Sequence, residues 1–251
     1  MAIFHGDIGY KLLKLIDCQD RTQKKPSNAF SPRESKIIKY FGDNWIREIS
    51  DKHVLDFGCG VGHDALDIAE AGAARVVGMD IRERVLEKGR LEAARRNLSN
   101  VEFTTATSDN FDVIVSIDAM EHFSDPLKIL HFMADRLKDS GEIWISFGPP
   151  WLHPLGGHLF SLFPWSHLLF SEYALCRWRS DFKTDGACRI CDVEGGLNKI
   201  TIHDFERYVE ESPLKIDSIT CIPIKPARLF HNKFTKEFLT SIVVSKLTLK
   251  H

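Results

Sequence analysis

Between residues 53 and 147 the chain alternates between two hydrophobic periods, and that alternation restricts its fold more than any other feature. HVLDF, RVVGMD, VEFTT, FDVIVSI and GEIWISF are short runs rich in Val, Ile and Phe. The first four are separated or followed by segments of helical spacing, DALDIAEAG, RERVLEKGRLEAARRN and DPLKILHFMADRLKD. Strand followed by helix, repeated, predicts an α/β fold with parallel strand pairing and helices on both faces of one sheet. In the last of those helices Asp125 can cap, Pro126 suits the first turn, and Gly141 is expected just past the end.

Flanking segments read differently. IGYKLLKLI and the stretch from Pro32 to Ile49 place apolar residues at three and four spacing, the second with Ser31 as N-cap and Pro32 at the first helical position. With the polar loop RTQKKPSNAFS between them they form an expected N-terminal helical cap, residues 1–49, ahead of a main domain over residues 50–251. After the fifth strand the rhythm breaks, and residues 149–200 are dense in Pro, Gly, Trp, Phe and His. A helix, TIHDFERYVEES, and two strand-like runs, LKIDSITCIPI and EFLTSIVVSKLTL, close the chain. Ligands of open α/β sheets bind beyond the carboxyl ends of the strands. An insertion leaving strand five starts on that side, so residues 149–200 are expected to be a substrate lid.

The formal net charge of -2 offers no general attraction for phosphate backbones, so no nucleic-acid partner is expected. The interleaved charges of RERVLEKGRLEAARRN read as a solvated helix surface, and KFTKEF near residue 235 reads as equally ordinary. The first residues lack a basic leader ahead of an apolar run, and no apolar stretch approaches ~18 residues, which points to a cytoplasmic protein without membrane contact. Six scattered cysteines in a chain of 251 residues fit reduced thiols. Cys188 and Cys191 form C-R-I-C and with Cys176 would be a zinc site, but a second pair is missing and no metal is expected.

VLDFGCGVGHD, residues 54–64, is a glycine-rich strand-to-helix turn. A dinucleotide fingerprint needs glycine at the sixth position from Gly58, where His63 stands, and no Lys-Ser or Lys-Thr pair follows, so the P-loop reading also fails. What survives is a tight turn whose backbone can approach a ligand closely. Asp56 at its start can engage an ammonium, and Asp80, 18 residues after Gly62 at the end of the second strand, can accept hydrogen bonds from ribose hydroxyls. Two carboxylates without basic neighbours favour a nucleoside carrying an amino acid over a pyrophosphate.

At this point the sequence resembles the class I S-adenosylmethionine-dependent methyltransferases. VLDFGCGVG resembles their first motif, VVGMDI the acidic second-strand end, FDVIVSIDAMEHFSDP the fourth strand and following loop, and SGEIWISF the fifth strand. The resemblance implies a seven-stranded, mostly parallel Rossmann-like sheet with an antiparallel last strand, and S-adenosylmethionine as cofactor. It implies that Asp56, Gly58, Cys59, Gly60 and Gly62 cradle the methionine part, that Asp80 holds the ribose with Ile81 beside the adenine, and that Ile117 and Asp118 lie near the methyl group. Thr107 stands where many relatives carry an acid that contacts the adenine amino group, with Ser108 and Asp109 as alternatives.

Methyl transfer from a sulfonium is an in-line displacement in which positioning supplies much of the acceleration, and a base is needed only when the nucleophile carries a proton. His122, which the resemblance places beside the cofactor, and His158, on a flexible GGH stretch of the lid, are the candidate bases; His153 and His167 are also in the lid. His122 has a plainer alternative, a hydrogen bond to loop backbone. Trp151, Phe160, Phe163, Trp165, Phe170, Tyr173 and Trp178 either make a small subcore or line an apolar acceptor pocket. The expected activity is methyl transfer to a small, apolar or aromatic acceptor, oxygen preferred. A protein or RNA methyltransferase and a non-catalytic S-adenosylmethionine-binding partner protein are the alternatives. The oligomeric state stays open.

Overall fold

The computed structural model describes residues 2–17, 35–193 and 196–250. Its centre is a seven-stranded sheet in the order β3-β2-β1-β4-β5-β7-β6. Strands β1 (His53–Phe57), β2 (Arg75–Met79), β3 (Val101–Thr104), β4 (Phe111–Ile117) and β5 (Leu137–Phe147) pair in parallel. Strand β7 (Thr240–Leu249) is antiparallel to β5 and to β6 (Leu214–Pro223). Consequently β6 points the same way as β1–β5, and the last strand alone is reversed.

Along each strand successive side chains face opposite sides, which divides the main core in two. Val54, Val113 and Val115 pack with residues of α2 (Lys36–Phe41), α3 (Asp43–Glu48), α4 (His63–Glu70) and α5 (Glu83–Arg95), among them Ile37, Trp45, Leu66 and Leu86. Leu55, Ile114 and Ile143 face the other side, closed by Leu130 and Met133 of α6 (Pro126–Arg136) and Phe205 and Val209 of α9 (Ile202–Glu211).

Two boundaries differ from the sequence expectation. The second N-terminal helix is broken at Gly42, whose φ of 88° sets α2 at an angle to α3; Ser31, Pro32 and the polar loop 21–31 lie outside the described residues. Asp125 does cap α6, accepting the Lys128 N–H at 3.0 Å with Pro126 in the first turn, but the helix stops at Arg136. Leu137 already pairs with Phe111 of β4, across a register shift. Gly141 therefore sits inside β5, where a Cβ would meet Leu137 Cδ1 at 2.7 Å and the Asp112 carbonyl at 2.9 Å. It is a close-approach glycine in a strand, and no helix stop.

The insertion builds a third core of its own, and α1 (Gly6–Ile16) belongs to it. Leu13 of α1 is buried with Phe160, Phe170, Leu175 and Trp178, residues that flank or lie on α7 (Ser166–Leu169) and α8 (Glu172–Arg179). Backbone bonds join the two segments, the Phe4 N–H donating to the Leu169 carbonyl at 2.9 Å and the Ser171 N–H to the Phe4 carbonyl at 2.9 Å. The N-terminal residues are thus split: α1 packs on the insertion, whereas α2 and α3 pack on the sheet. A short helix, α10 (Lys236–Leu239), lies between β6 and β7. No helix among the described residues is long and apolar enough to cross a membrane.

Candidate active site

The carboxyl ends of β1, β2 and β4 open onto one cleft of about 890 Å³. At its floor the chain turns from β1 into α4 through Gly58, Gly60 and Gly62, all at positive φ (77°, 56° and 83°), a region where a Cβ is strained. The turn is tied to β2, because the N–H groups of Gly58 and Cys59 both donate to the Met79 carbonyl at 2.8 and 3.0 Å. Each glycine answers a different need. At Gly58 a Cβ would lie 2.8 Å from Ala119 Cβ; at Gly60 the nearest group is Arg82 Nη2 at 3.9 Å, so this backbone is bare toward the cleft.

Asp56 and Asp80 are both buried and both line the cleft. Asp80 is fully engaged: one oxygen accepts from the Arg82 backbone N–H and Nε at 2.9 and 3.0 Å, the other from the Gly60 N–H and Arg82 Nη2 at 3.0 and 3.1 Å. Burial pushes its pKa up, but the Arg82 guanidinium and the two amides outweigh that and hold the carboxyl below its usual range. Ile81, next in sequence, is exposed at the rim.

At the end of β4, Ile117 and Asp118 line the same cleft. Asp118 has φ 50°, its N–H donates to the Ser146 carbonyl at 2.8 Å, and its carboxylate pairs with Lys36 of α2. Tyr40, one turn further along α2, has its hydroxyl pushed up to about 12, chiefly by burial and then by the charges of Asp118, Asp64 and Glu121. It stays protonated over the working range of pH and can only donate or accept a hydrogen bond.

Sequence reasoning passed over Glu121, Lys36 and Arg82. Glu121 is buried between Ala119 and the start of the insertion, and Oε1 accepts the Gly148 N–H at 3.3 Å. Burial, and next the Asp118 charge against the pull of its own amide, push its carboxyl from 4.5 up to about 7. Between pH 4.5 and 7 the folded protein then holds a proton that the unfolded chain has released, so stability present below 4.5 is lost as pH rises through 7. The gap corresponds to about 3 kcal/mol. Chemical denaturation is expected to show Glu121→Gln gaining about that much on the wild type between acid and mildly alkaline pH; parallel pH trends would show that this carboxyl does not titrate there.

His122 and His158 are brought together, with ring centroids 5.8 Å apart and planes at 87°. His122 lines the cleft, and its Nδ1 is 3.1 Å from the Gly196 carbonyl, which makes Nδ1 the donor in that contact, so that Nε2 is the acceptor nitrogen of the neutral tautomer. His158 stands behind it at φ 49°, with no hydrogen-bond partner on the buried Nε2. Burial first, then the neighbouring His122, lower its pKa against the pull of the Pro149 carbonyl, so its ring is neutral near pH 7. The other two histidines of the insertion bond within it. His167 joins Ser161 Oγ at 2.9 Å to the Trp151 carbonyl at 2.7 Å, and His153 Nδ1 accepts the Leu155 N–H at 2.9 Å while burial lowers its pKa to about 4.

Three residues expected at the cofactor are not among those that line the cleft. Gly62 is buried under the cleft floor, where a Cβ would be 2.2 Å from Phe103 Cε1. Thr107 Oγ1 accepts the Asp109 N–H at 3.2 Å, and the Ser108 carbonyl accepts from Arg136 at 2.8 Å; neither lines the cleft. Asp109 pairs with Arg75 at 2.8 Å. The short turn before β4 spends its polar groups locally. Nor do the seven insertion aromatics line it: Phe160, Phe170 and Trp178 are buried in the third core. Cys176 is buried there too, whereas Cys188 and Cys191 are exposed, and no group of three or more His, Cys, Asp or Glu among the described residues is placed to hold a metal.

A family model described as a methyltransferase domain matches residues 33–219. A ubiquinone biosynthesis O-methyltransferase of Neisseria meningitidis serogroup C is 36% identical over 107 residues, 39% of this chain and 45% of that protein. The match thus spans less than half of that relative's length. Among solved structures, an S-adenosylmethionine-dependent methyltransferase of Mesorhizobium loti has a TM-score of 0.54 at 16% identity, covering 81% of this chain and 95% of its own. An O-methyltransferase from a trans-AT PKS multienzyme of Brevibacillus brevis, in complex with S-adenosyl-L-homocysteine, has a TM-score of 0.51 at 19% identity, covering 79% and 66%. These two share the fold. With the family model covering most of the sheet and the whole cleft, the chain belongs to the S-adenosylmethionine-dependent methyltransferases.

Proposed function

We propose that the protein transfers a methyl group from S-adenosylmethionine to a hydroxyl oxygen of a small, apolar or aromatic acceptor. The observation that carries this reading is the placing of His122, with a bare Nε2, in the cleft that also presents the Gly60 backbone and the Asp80 carboxylate. The names of relatives support oxygen and a small molecule, since proteins matched over 107, 115 and 183 residues are ubiquinone biosynthesis O-methyltransferases.

In this reading Asp56, Gly58, Cys59 and Gly60 hold the methionine end, Asp80 the ribose, and Ile81 an adenine face, while Ile117 and Asp118 border the transferring methyl. The bound cofactor supplies an electrophilic methyl on a sulfonium. The protein's own part is to aim the acceptor oxygen and take its proton, and His122 Nε2 is the acceptor of that proton, with neutral His158 packed against its ring. The insertion, joined by α1, covers the acceptor; Cys191, Val193 and Gly196 reach the cleft from it. We read the site of action as cytoplasmic, in keeping with the five described cysteines, all free thiols.

Methyl incorporation from labelled S-adenosylmethionine across phenols, catechols, carboxylic acids and amines tests the proposal, with protein and RNA as further acceptors. Labelled hydroxylated aromatics are expected; label confined to protein or RNA overturns it, and so does tight cofactor binding with no acceptor at all. His122→Ala is expected to lower kcat about 10²- to 10⁴-fold with S-adenosylhomocysteine affinity within about twofold. The loss should shrink at a pH where the acceptor ionises unaided. Unchanged turnover removes His122 from the chemistry.

A further inference from the structure

The connection between β6 and β7, residues 224–239, exposes four large apolar side chains. Leu229 is 95% exposed, Phe234 80%, Phe230 69% and Phe238 43%. Side chains of this size in a hairpin connection mark a contact surface when they cluster. The segment is also held in shape. Its base is closed by the Ile224 N–H donating to the Leu239 carbonyl at 2.8 Å, and its tip by Phe234 N–H to Asn232 Oδ1 at 2.9 Å and Thr235 Oγ1 to the Phe230 carbonyl at 2.6 Å. Glu237 accepts the Ile202 and His203 N–H groups of α9 at 3.0 and 2.8 Å, and Lys236 pairs with Glu206 at 2.7 Å. The aromatic tips are therefore presented by a fixed loop.

Charge says what faces them. The chain carries a net charge of -2, yet this segment has Lys225, Arg228, Lys233 and Lys236 against the single carboxylate of Glu237. That carboxylate is turned inward to α9, while Lys225, Arg228 and Lys233 are exposed among the aromatics. Aromatic and aliphatic tips interleaved with cations suit the interface of an anionic membrane. A second copy of the chain fits poorly, because a two-fold contact would set this cationic patch against itself.

We propose that residues 224–239 dock the protein on an anionic lipid bilayer, with Leu229, Phe230 and Phe234 entering the headgroup boundary. Since β6 runs parallel to β1–β5, its end at Pro223 lies on the same edge of the sheet as the cleft. Docking there sets the cleft's edge toward the bilayer. The inference stands on exposure and charge and does not require the acceptor reading.

Co-sedimentation with vesicles of phosphatidylcholine alone, and of phosphatidylcholine with phosphatidylglycerol, tests it. The full chain is expected to bind the second kind, more weakly as salt rises. Phe230→Ser with Phe234→Ser should lower the partition coefficient about tenfold or more. Lys225→Glu, Arg228→Glu and Lys233→Glu together should erase the preference for anionic vesicles. S-adenosylhomocysteine affinity and circular dichroism equal to wild type would show that both variants fold. Absence of wild-type binding overturns the proposal, as does equal binding by the variants. A wild-type dimer that Phe230→Ser with Phe234→Ser converts to a monomer, with no vesicle binding, would make the patch a subunit contact instead.

Discussion

Asp80→Asn is expected to weaken equilibrium binding of S-adenosylmethionine about a hundredfold in calorimetry, with the fold retained. The substitution keeps the shape and removes the charge. An ionised carboxylate that accepts hydroxyl donors in a buried site contributes about 1.5–3 kcal/mol per charge-assisted bond, and ~3 kcal/mol is two orders of magnitude in affinity. Asp80 is suited to that role because it is buried, kept ionised by Arg82 and fastened to the Gly60 N–H at the bare point of the glycine turn. Arg82 holds the other positions on the carboxylate, but its side chain is 46% exposed and can give way to ribose hydroxyls at small cost. Arg82→Ala should therefore change affinity by no more than about threefold. Binding by Asp80→Asn within about twofold of wild type would rule out a ribose contact at this residue.

Gly62→Ala is expected to cost about 2–4 kcal/mol of folding stability, a larger loss than at any other residue of the turn. The φ of 83° places an alanine in the left-handed region, at about 1 kcal/mol or more. Its Cβ would also drive into the Phe103 ring, at 2.2 and 2.5 Å from two ring carbons, and overpacking of that kind costs about 1–3 kcal/mol. Phe103 also packs against Gly78 and Gly89, where a Cβ would come within 2.6 and 2.9 Å of the same ring, so a shift away from residue 62 disturbs contacts that three glycines make with it. Thermal unfolding of Gly62→Ala, Phe103→Leu and the double variant separates the two contributions. The double variant should be more stable than the sum of the singles predicts, by the size of the clash; strict additivity would show that the ring does not limit this position.

How much of this was legible in the sequence depended on whether the cause was local. The strand-helix alternation, the exclusion of dinucleotide and P-loop readings by His63 and the missing Lys, and the position of Asp80 all rest on spacing within one βαβ unit, and each was readable. The packing demand at Gly62 was not legible, because a glycine in a motif looks like a ligand contact, whereas this demand comes from Phe103, 41 positions away, whose ring shares that space with Gly78 and Gly89. Lys36 was invisible for the same reason, reaching Asp118 across 82 positions. Thr107 and Ser108 were placed by analogy with longer turns; in this short one they bond within the turn and to Arg136. His122 and His158 carried no sequence signal of their meeting, since nothing in MEHF or GGH tells that the insertion folds back over the end of β4.

The pairing of α1 with the insertion also sets an order of events during synthesis. Among the described residues Leu13 and Phe4 pack with insertion residues such as Phe170, Ala174, Leu175 and Trp178, so α1 cannot bury this face against them until the chain has been made past residue 178. At roughly 5–20 residues per second that interval is on the order of ten seconds. The sheet strands β1–β5 emerge within it and can assemble first. Helix α1 thus waits and closes onto a largely formed body, an element made before the sheet and secured after it.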